Sequence, residues 1–456
     1  MIYSLVHALA GFALRLFYRL EVRQTQPLPN GALLFIGNHP NGLVDPAVLF
    51  AITQRRITFL AKAPLFRMPI IGCLIRGMGA LPVFRRQDDP TRMGGNEATL
   101  EAAAQVLVQG GALTIFPEGK SHSEPQLAAL KTGAARLALM AQARGAQVTV
   151  IPVGLTYAQK HRFRSEALVE LGAPLPLSQV VAAETPEGDP AAVRTLTHAM
   201  ADALRAVTLN LESWEDLPLV RLAESLWALH RGTEPGDPER HRRFARGLSI
   251  FRDERPEDFD DLRSALLDFG RRLSVLDVDP QGLGTRYRPW GVLRFTLESL
   301  VTLLVGLPVA AVGWLVFAPP FLFVRSVVAL LRPSVDVVAT YKLIGSMVLF
   351  PLWTTAVAVG VWMWGGPWWA LGWLLCALPL ALFSRHALEV FQTRLDDAAL
   401  FFRLGSRKAL RTQLMKEGDA LAAAVEAEAV RYLARVAPEE AGATPEAGTQ
   451  GEPSSG

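Results

Sequence analysis

The chain has 456 residues, half of them hydrophobic, and a formal net charge of +3. That length predicts two or three domains rather than one core. Basic residues are spread along the chain without a concentrated stripe, which excludes an obvious nucleic-acid surface. Cys73 and Cys376 lie far apart in apolar surroundings, so they read as core fillers in a reducing compartment, forming neither a disulfide nor a metal site.

Residues 1–25 predict a membrane-associated helix. Leu5, Leu9, Phe12, Leu16 and Leu20 recur at helical spacing, and Arg15 and Arg19 can snorkel to headgroups. No small-residue cleavage site follows, as a signal peptide requires. A helix packed on the next domain is the competing reading. The run Leu33-Leu34-Phe35-Ile36 then predicts a buried strand ending at Gly37-Asn38. Pro40 and Gly42 both oppose a helix, and Asp45-Pro46 reads as an N-cap followed by proline at the first helical position. His39 is thereby placed at a strand's end and Asp45 at a helix's start, where scaffolds hold reactive groups. Standing alone, the Asp reads first as a simple cap and the His as polar surface, and catalysis is the lesser reading.

Ile57 to Ala61 is a strand candidate, broken by Lys62-Ala63-Pro64-Leu65-Phe66, and Ile70 to Ile75 suggests a short apolar element. Gly79 permits a turn, Leu81 to Phe84 are extended, and Arg85 and Arg86 close the run. A guanidinium at a strand end can fork onto a phosphate, although beside Asp88 and Asp89 the pair also fits a solvated charge cluster. Residues 96–108 predict a helix capped by Asn96 and ended by Gly110-Gly111. Ala112 to Phe116 is a strand running into Pro117-Glu118-Gly119-Lys120-Ser121, which puts polar groups at another strand's C-terminal end. A helix over 134–144, a strand over 147–155 and the basic residues Lys160, His161, Arg162 and Arg164 follow. This alternation is the signature of an α/β layer fold.

Four blocks now stand in one order: Asn38-His39…Asp45, Gly79 to Arg86, Phe116 to Ser121, and Val150-Ile151-Pro152-Val153. Over residues 30–175 this resembles the glycerolipid acyltransferase family, the glycerol-3-phosphate and lysophosphatidate acyltransferases. The family's usual His and Asp are separated by four residues, and here five intervene. The longer spacing resembles the branch of fungal glycerol-3-phosphate/dihydroxyacetone-phosphate acyltransferases and their bacterial relatives, which also carry a C-terminal membrane region. The resemblance implies an α/β catalytic domain over residues 26–215, with His39 as general base and Asp45 holding its tautomer. It implies acceptor binding by Arg85, Arg86, Glu118, Gly119, Lys120, Ser121 and Pro152. Being an anion, Glu118 should meet a hydroxyl or an Arg rather than the phosphate. Lys120, Lys131 and the Lys160/Arg162 cluster are further phosphate candidates, for which a solvated face is the favoured reading.

Residues 216–292 predict a helical connector with apolar stripes at Leu219-Leu222-Leu226-Leu229 and Leu262-Leu266-Phe269-Leu273. Phe295–Leu331 and Leu343–Phe383 each exceed the roughly 20 residues of one transmembrane helix, giving a membrane region over 293–385. Pro308, Pro319-Pro320, Pro351 and Gly365-Gly366-Pro367 are read as dividing these blocks into four helices, as short spans, full spans or re-entrant hairpins. Trp353, Trp362, Trp364, Trp368 and Trp369 resemble interfacial anchors. Arg286, Arg288 and Arg294 on one flank, and Arg385, Arg394 and Arg403 on the other, predict an even span count with both ends cytoplasmic. Residues 386–436 predict amphipathic helices that can lie on the membrane, and 437–456 a disordered tail.

The expectation is therefore a mainly α-helical, membrane-embedded C-terminal region behind an α/β catalytic domain facing the cytoplasm at the cell (inner) membrane. Its partners would be the lipid bilayer, glycerol 3-phosphate or lysophosphatidate, and an acyl-CoA or acyl carrier protein thioester as co-substrate. No cofactor, metal or nucleic acid is expected. A different lipid acceptor, or a non-catalytic lipid-binding scaffold, is the competing reading.

Overall fold

A computed structural model of the chain describes residues 2–84, 95–182, 184–280, 282, 289–405 and 408–436. Arg85, Arg86, Arg286, Arg288 and the predicted tail 437–456 lie outside the described residues. The chain forms two units, residues 1–208 with 301–390 and residues 209–300 with 391–456.

The first unit is built on a single sheet. Its strands are β1 (Tyr18–Gln24), β2 (Ala32–Gly37), β3 (Ile57–Lys62), β4 (Leu81–Val83), β5 (Ala112–Ile115), β6 (Val148–Tyr157), β7 (Ser165–Leu171) and β8 (Leu175–Pro176). They lie in the order β1-β7-β6-β2-β5-β3-β4, with β8 also on β6. Pairings are parallel except β6–β7 and β6–β8. All of β2 is buried, because helices cover both faces and an apolar run suits a central parallel strand. Its side chains alternate. Leu34 and Ile36 join a core with α4 (Gly95–Val108), α5 (Gly133–Ala143) and α6 (Pro190–Val207). Leu33 and Phe35 join a second core with α1 (Ile2–Phe17) and α2 (Val44–Ile52). A short helix, α3 (Pro69–Gly77), precedes β4.

Several local readings change. The N-terminal helix ends at Phe17, and Tyr18–Gln24 is a strand in register with Ser165–Leu171. On α1, Leu14 and Phe17 are buried and the Tyr3 and His7 rings pack on Phe50, while Leu9 and Phe12 stay exposed. Asp45 is not an N-cap: α2 starts at Val44, and the Asp45 carboxylate accepts the Asn41 N–H from the preceding loop at 2.7 Å. Asn96 likewise leaves the capping role. Its side chain bonds both the N–H and the C=O of Phe84, at 2.8 and 2.7 Å, and so pins the end of β4. Cys73 and Cys376 are both exposed rather than core fillers.

Pro152 occupies the middle of β6, an unusual place for a residue without an N–H. The antiparallel partners of β6 explain it. β8 pairs with Thr149 and Val150, β7 pairs from Val153 onward, and Pro152 falls between the two ladders. Its C=O still accepts the Gly172 N–H at 2.9 Å.

In the same unit, α11 (Leu307–Leu331) and α12 (Val338–Gly365) are long apolar helices, and α13 (Pro367–Gly405) belongs to this unit as far as residue 390. A helix α10 (Pro289–Val301) runs through a π-helical turn, Thr302–Gly306, into α11. Among the described residues, three stretches are long and apolar enough to cross a membrane: Arg294–Leu331, Val338–Gly365 and Pro367–Leu395. That is an odd number where flanking charge predicted an even one. The predicted divisions at Pro319-Pro320 and Pro351 do not occur, since these prolines lie inside α11 and α12; the break at Gly366 does occur. Helices in lipid tolerate proline when a neighbour satisfies the freed carbonyl. Pro320 cannot donate to Val316 O, four residues before it, and Trp353 Nε1 on α12 donates to that oxygen instead at 2.9 Å.

The second unit is helical. α7 (Asp216–His230), α8 (Pro238–Glu254), α9 (Pro256–Leu276) and α14 (Lys408–Val436) enclose Leu226, Phe244, Phe251, Phe269, Val425 and Tyr432. The connector and the C-terminal helix thus share one core, and the apolar face of α14 is used on α7–α9 rather than left for a membrane surface.

The sheet's tightest approach gives a stability test. A Cβ on Gly154 would lie 1.8 Å from the backbone oxygen of Val207, whereas one on Gly133 would meet nothing within 4 Å. Gly154→Ala is expected to destabilise by about 3 kcal/mol, and Gly133→Ala to be neutral or slightly stabilising. Thermal unfolding of the purified variants in detergent checks this; equal midpoints would contradict the packing described.

Candidate active site

The site forms where the C-terminal ends of β2, β5 and β6 meet. Asn38, just past β2, clamps β6 from the side: its amide donates to Leu155 O at 3.0 Å and accepts the Leu155 N–H at 2.7 Å. The chain then turns through His39 to Asn41 into α2. His39 Nδ1 lies 2.8 Å from Asp45 Oδ2. A carboxylate only accepts, so Nδ1 carries the hydrogen and Nε2 presents a lone pair. Among the described residues His39 Nε2 has no hydrogen-bond partner. The imidazole stacks on Phe116 at a ring distance of 4.3 Å.

Asp45 has no exposure to solvent. A carboxylate so buried is tolerated when its oxygens are filled. Oδ2 takes His39 Nδ1–H and Asn41 N–H, and Oδ1 takes the Tyr157 hydroxyl at 2.8 Å. Burial and then the Asp45 charge push the Tyr157 phenol well above its ordinary pKa, so it remains a neutral donor. Asn41 is itself buried, and its amide donates to the Tyr18 hydroxyl at 2.9 Å. Tyr18 passes its own hydrogen to Lys160 O. Burial raises the Tyr18 phenol as well.

Glu118 enters from the turn after β5 and is almost wholly buried. Oε1 accepts the His39 N–H at 3.1 Å, and Oε2 accepts the Ala128 N–H at 2.9 Å and the His122 ring. His122 Nδ1 accepts the Glu124 N–H, which leaves Nε2 as the donor to Glu118. The His122 N–H returns to His39 O at 3.1 Å. Glu118 therefore braces the His39 backbone, and its carboxylate is occupied by protein donors.

Of the remaining sequence candidates, Gly119 and Ser121 lie in this turn, and Lys120 is exposed. The Lys131 side chain runs over Gly119. Pro152 is buried inside β6 beside Gly172 rather than on the open side of the site. Arg162 is exposed, whereas Lys160 is half-buried and donates to Pro40 O and Ser123 Oγ, both at 2.6 Å. Burial lowers the Lys160 pKa, against the charges of Asp336 and Asp45. The described chain reaches Phe84, fixed by Asn96, immediately before Arg85 and Arg86. Sequence reasoning missed Asn41, Tyr157 and His122. His122 carried a signal, standing four residues after Glu118; the other two depend on strand register.

Comparison with known proteins supplies the context. Residues 19–156 match the family model described as Acyltransferase. The chain is 28% identical to glycerol-3-phosphate O-acyltransferase 2 of Saccharomyces cerevisiae over 56% of its own length and 37% of that protein's. It is 24% identical to an uncharacterized acyltransferase of Schizosaccharomyces pombe over 72% of this chain and 63% of that one. Against a chloroplastic 1-acyl-sn-glycerol-3-phosphate acyltransferase of Arabidopsis thaliana, identity is 26% over 32% of this chain and 38% of the relative. The chain thus spans less than two thirds of the length of each of these relatives. His39, Asp45 and Glu118 all fall within residues 19–156, the segment that matches the Acyltransferase family model.

Proposed function

We propose that the protein is a membrane-bound O-acyltransferase of phospholipid synthesis. It moves a fatty acyl group from acyl-CoA or an acyl carrier protein thioester to a hydroxyl of glycerol 3-phosphate or 1-acylglycerol 3-phosphate. One observation carries this reading: a buried carboxylate 2.8 Å from His39 Nδ1 leaves Nε2 as a positioned base. As the acceptor oxygen attacks the thioester carbonyl, its proton passes to Nε2. The imidazolium is stabilised by Asp45 and by the face of the Phe116 ring. Collapse of the tetrahedral intermediate expels the thiolate, which takes that proton back from Nε2. No covalent acyl-enzyme is needed, because the attacking hydroxyl belongs to the acceptor.

The phosphate of the acceptor is assigned to Arg85 and Arg86, which follow Phe84 in the chain, together with Lys120 and Ser121. The names of the yeast and plant relatives support both acceptors. The apolar helices support a bilayer mount, to whose cytoplasmic face we assign the catalytic unit, and a mount is physically apt because donor chain and product both partition into lipid.

Purified protein in phospholipid micelles, offered labelled acyl-CoA or acyl carrier protein with glycerol 3-phosphate, dihydroxyacetone phosphate or lysophosphatidate, is expected to acylate glycerol 3-phosphate or lysophosphatidate. Absence of product from every pairing would overturn the proposal. His39→Ala should reduce turnover to background while its thermal midpoint stays near that of the parent; substantial residual turnover would remove the base assignment. Tyr157→Phe leaves one Asp45 oxygen without its donor and should lower kcat by roughly ten-fold, the scale of a hydrogen bond to a charged group. Its KM for the acceptor should barely change, and an effect on KM alone would place Tyr157 in substrate binding.

A further inference from the structure

Not every group that shapes the site lies in the matched acyltransferase segment. The loop 332–337, which joins the apolar helices α11 and α12, reaches the catalytic turns. Asp336 Oδ2 accepts the Ser121 hydroxyl at 2.8 Å. The Asp336 backbone oxygen passes so close to the His39–Asp45 loop that a Cβ at position 42 would lie 2.8 Å from it. Gly42 permits that approach and also adopts a φ of 44° that side-chain-bearing residues rarely take.

The electrostatics support a specific contact rather than incidental packing. Burial pushes the Asp336 pKa up, but hydrogen bonds from Ser334 and Ser121, with the charge of Lys160, outweigh it and hold the carboxyl below its ordinary value. Lys160 in turn ties the two catalytic turns together, through Pro40 O in one and Ser123 Oγ in the other. Two further ties hold α12 and α13 to the sheet-bearing part of this unit. Lys342 Nζ donates to His161 O at 2.6 Å, and Arg164 Nε donates to Glu389 Oε1 at 2.5 Å.

We propose that Asp336 is a positioning residue of the active site, supplied by the loop between two apolar helices. It does not touch the reacting atoms. It acts through Ser121 and Lys160, holding the Glu118–Ser123 turn against the His39–Asp45 turn so that His39 keeps its place on Phe116 and Glu118. The catalytic geometry then depends on the helices being seated, which makes turnover responsive to their state in the bilayer. This inference rests on the acyl-transfer reading for its kinetic consequence, but not for its structural one.

The test uses the full-length protein in phospholipid micelles, comparing Asp336→Ala, Asp336→Asn and Ser121→Ala with the parent. Asp336→Ala is expected to lower kcat at least ten-fold with a thermal midpoint within a few degrees of the parent. Asp336→Asn, whose amide oxygen still accepts from Ser121, should recover most of the loss. A kcat for Asp336→Ala within two-fold of the parent would overturn the inference, as would a failure of Asn to improve on Ala.

Amide hydrogen exchange gives a readout that needs no turnover. Segments 38–45 and 117–123 should exchange several-fold faster in Asp336→Ala, with the β2 and β5 amides unchanged. Unchanged exchange in both segments would refute the positioning role even if the parent acylates none of the acceptors offered, an outcome that would count against the proposed reaction alone. Ser121→Ala removes the same hydrogen bond from the other side, and its amide exchange over 38–45, rather than its turnover, decides the matter should Asp336→Ala fail to fold.

Discussion

A carboxylate with no access to water organises this site. Asp45 is fully buried, and an ionised group there is stable only if protein donors replace its hydration. The donors come from separate places: the His39 ring and the Asn41 backbone in the loop after β2, and the Tyr157 hydroxyl at the far end of β6. They converge because β2 and β6 are hydrogen-bonded neighbours with Gly37 opposite Val153, and Asn38 locks Leu155 just beyond. A slip of one residue along β6 would turn Tyr157 to the other face of the sheet and leave Asp45 with an empty oxygen. The sheet register and the histidine tautomer are thus one constraint seen at two scales.

His39 is held in the same manner from its other side. Glu118 looks from the sequence like an acceptor-binding anion, yet its oxygens are filled by the His39 N–H, the Ala128 N–H and the His122 ring. Two buried carboxylates therefore flank the imidazole with different duties. Asp45 fixes the ring, and Glu118 fixes the backbone that carries it. Among the described residues Nε2 is left without a hydrogen-bond partner, the condition that the proposed base role requires.

How much of this was legible beforehand follows from distance along the chain. The pairing of His39 with Asp45 could be read because the two stand six residues apart at a strand-to-helix turn that resembles a known family's, and the α/β alternation could be read from apolar runs and their punctuation. Asn41, Tyr157 and Asp336 could not, since each acts only after strands or helices far apart in sequence have come together. Local rules also misled where tertiary partners took over. Asp45 and Asn96 look like caps but bond elsewhere. Pro320 looks like a helix breaker, but Trp353 supplies the hydrogen bond it cannot make. Pro152 looks wrong for a central strand until the gap between β7 and β8 is seen.

The contact between Ser121 and Asp336 joins residues 215 positions apart in the chain. Ribosomes deliver the N-terminal part first, and domains fold as units while synthesis continues. The sheet with His39, Asp45 and Glu118 can therefore be complete before Asp336 has been made. The last tie forms only after α11 and α12 have emerged and been placed. On the positioning role proposed for Asp336, a newly made chain whose apolar helices are not yet seated carries a site still lacking that last support.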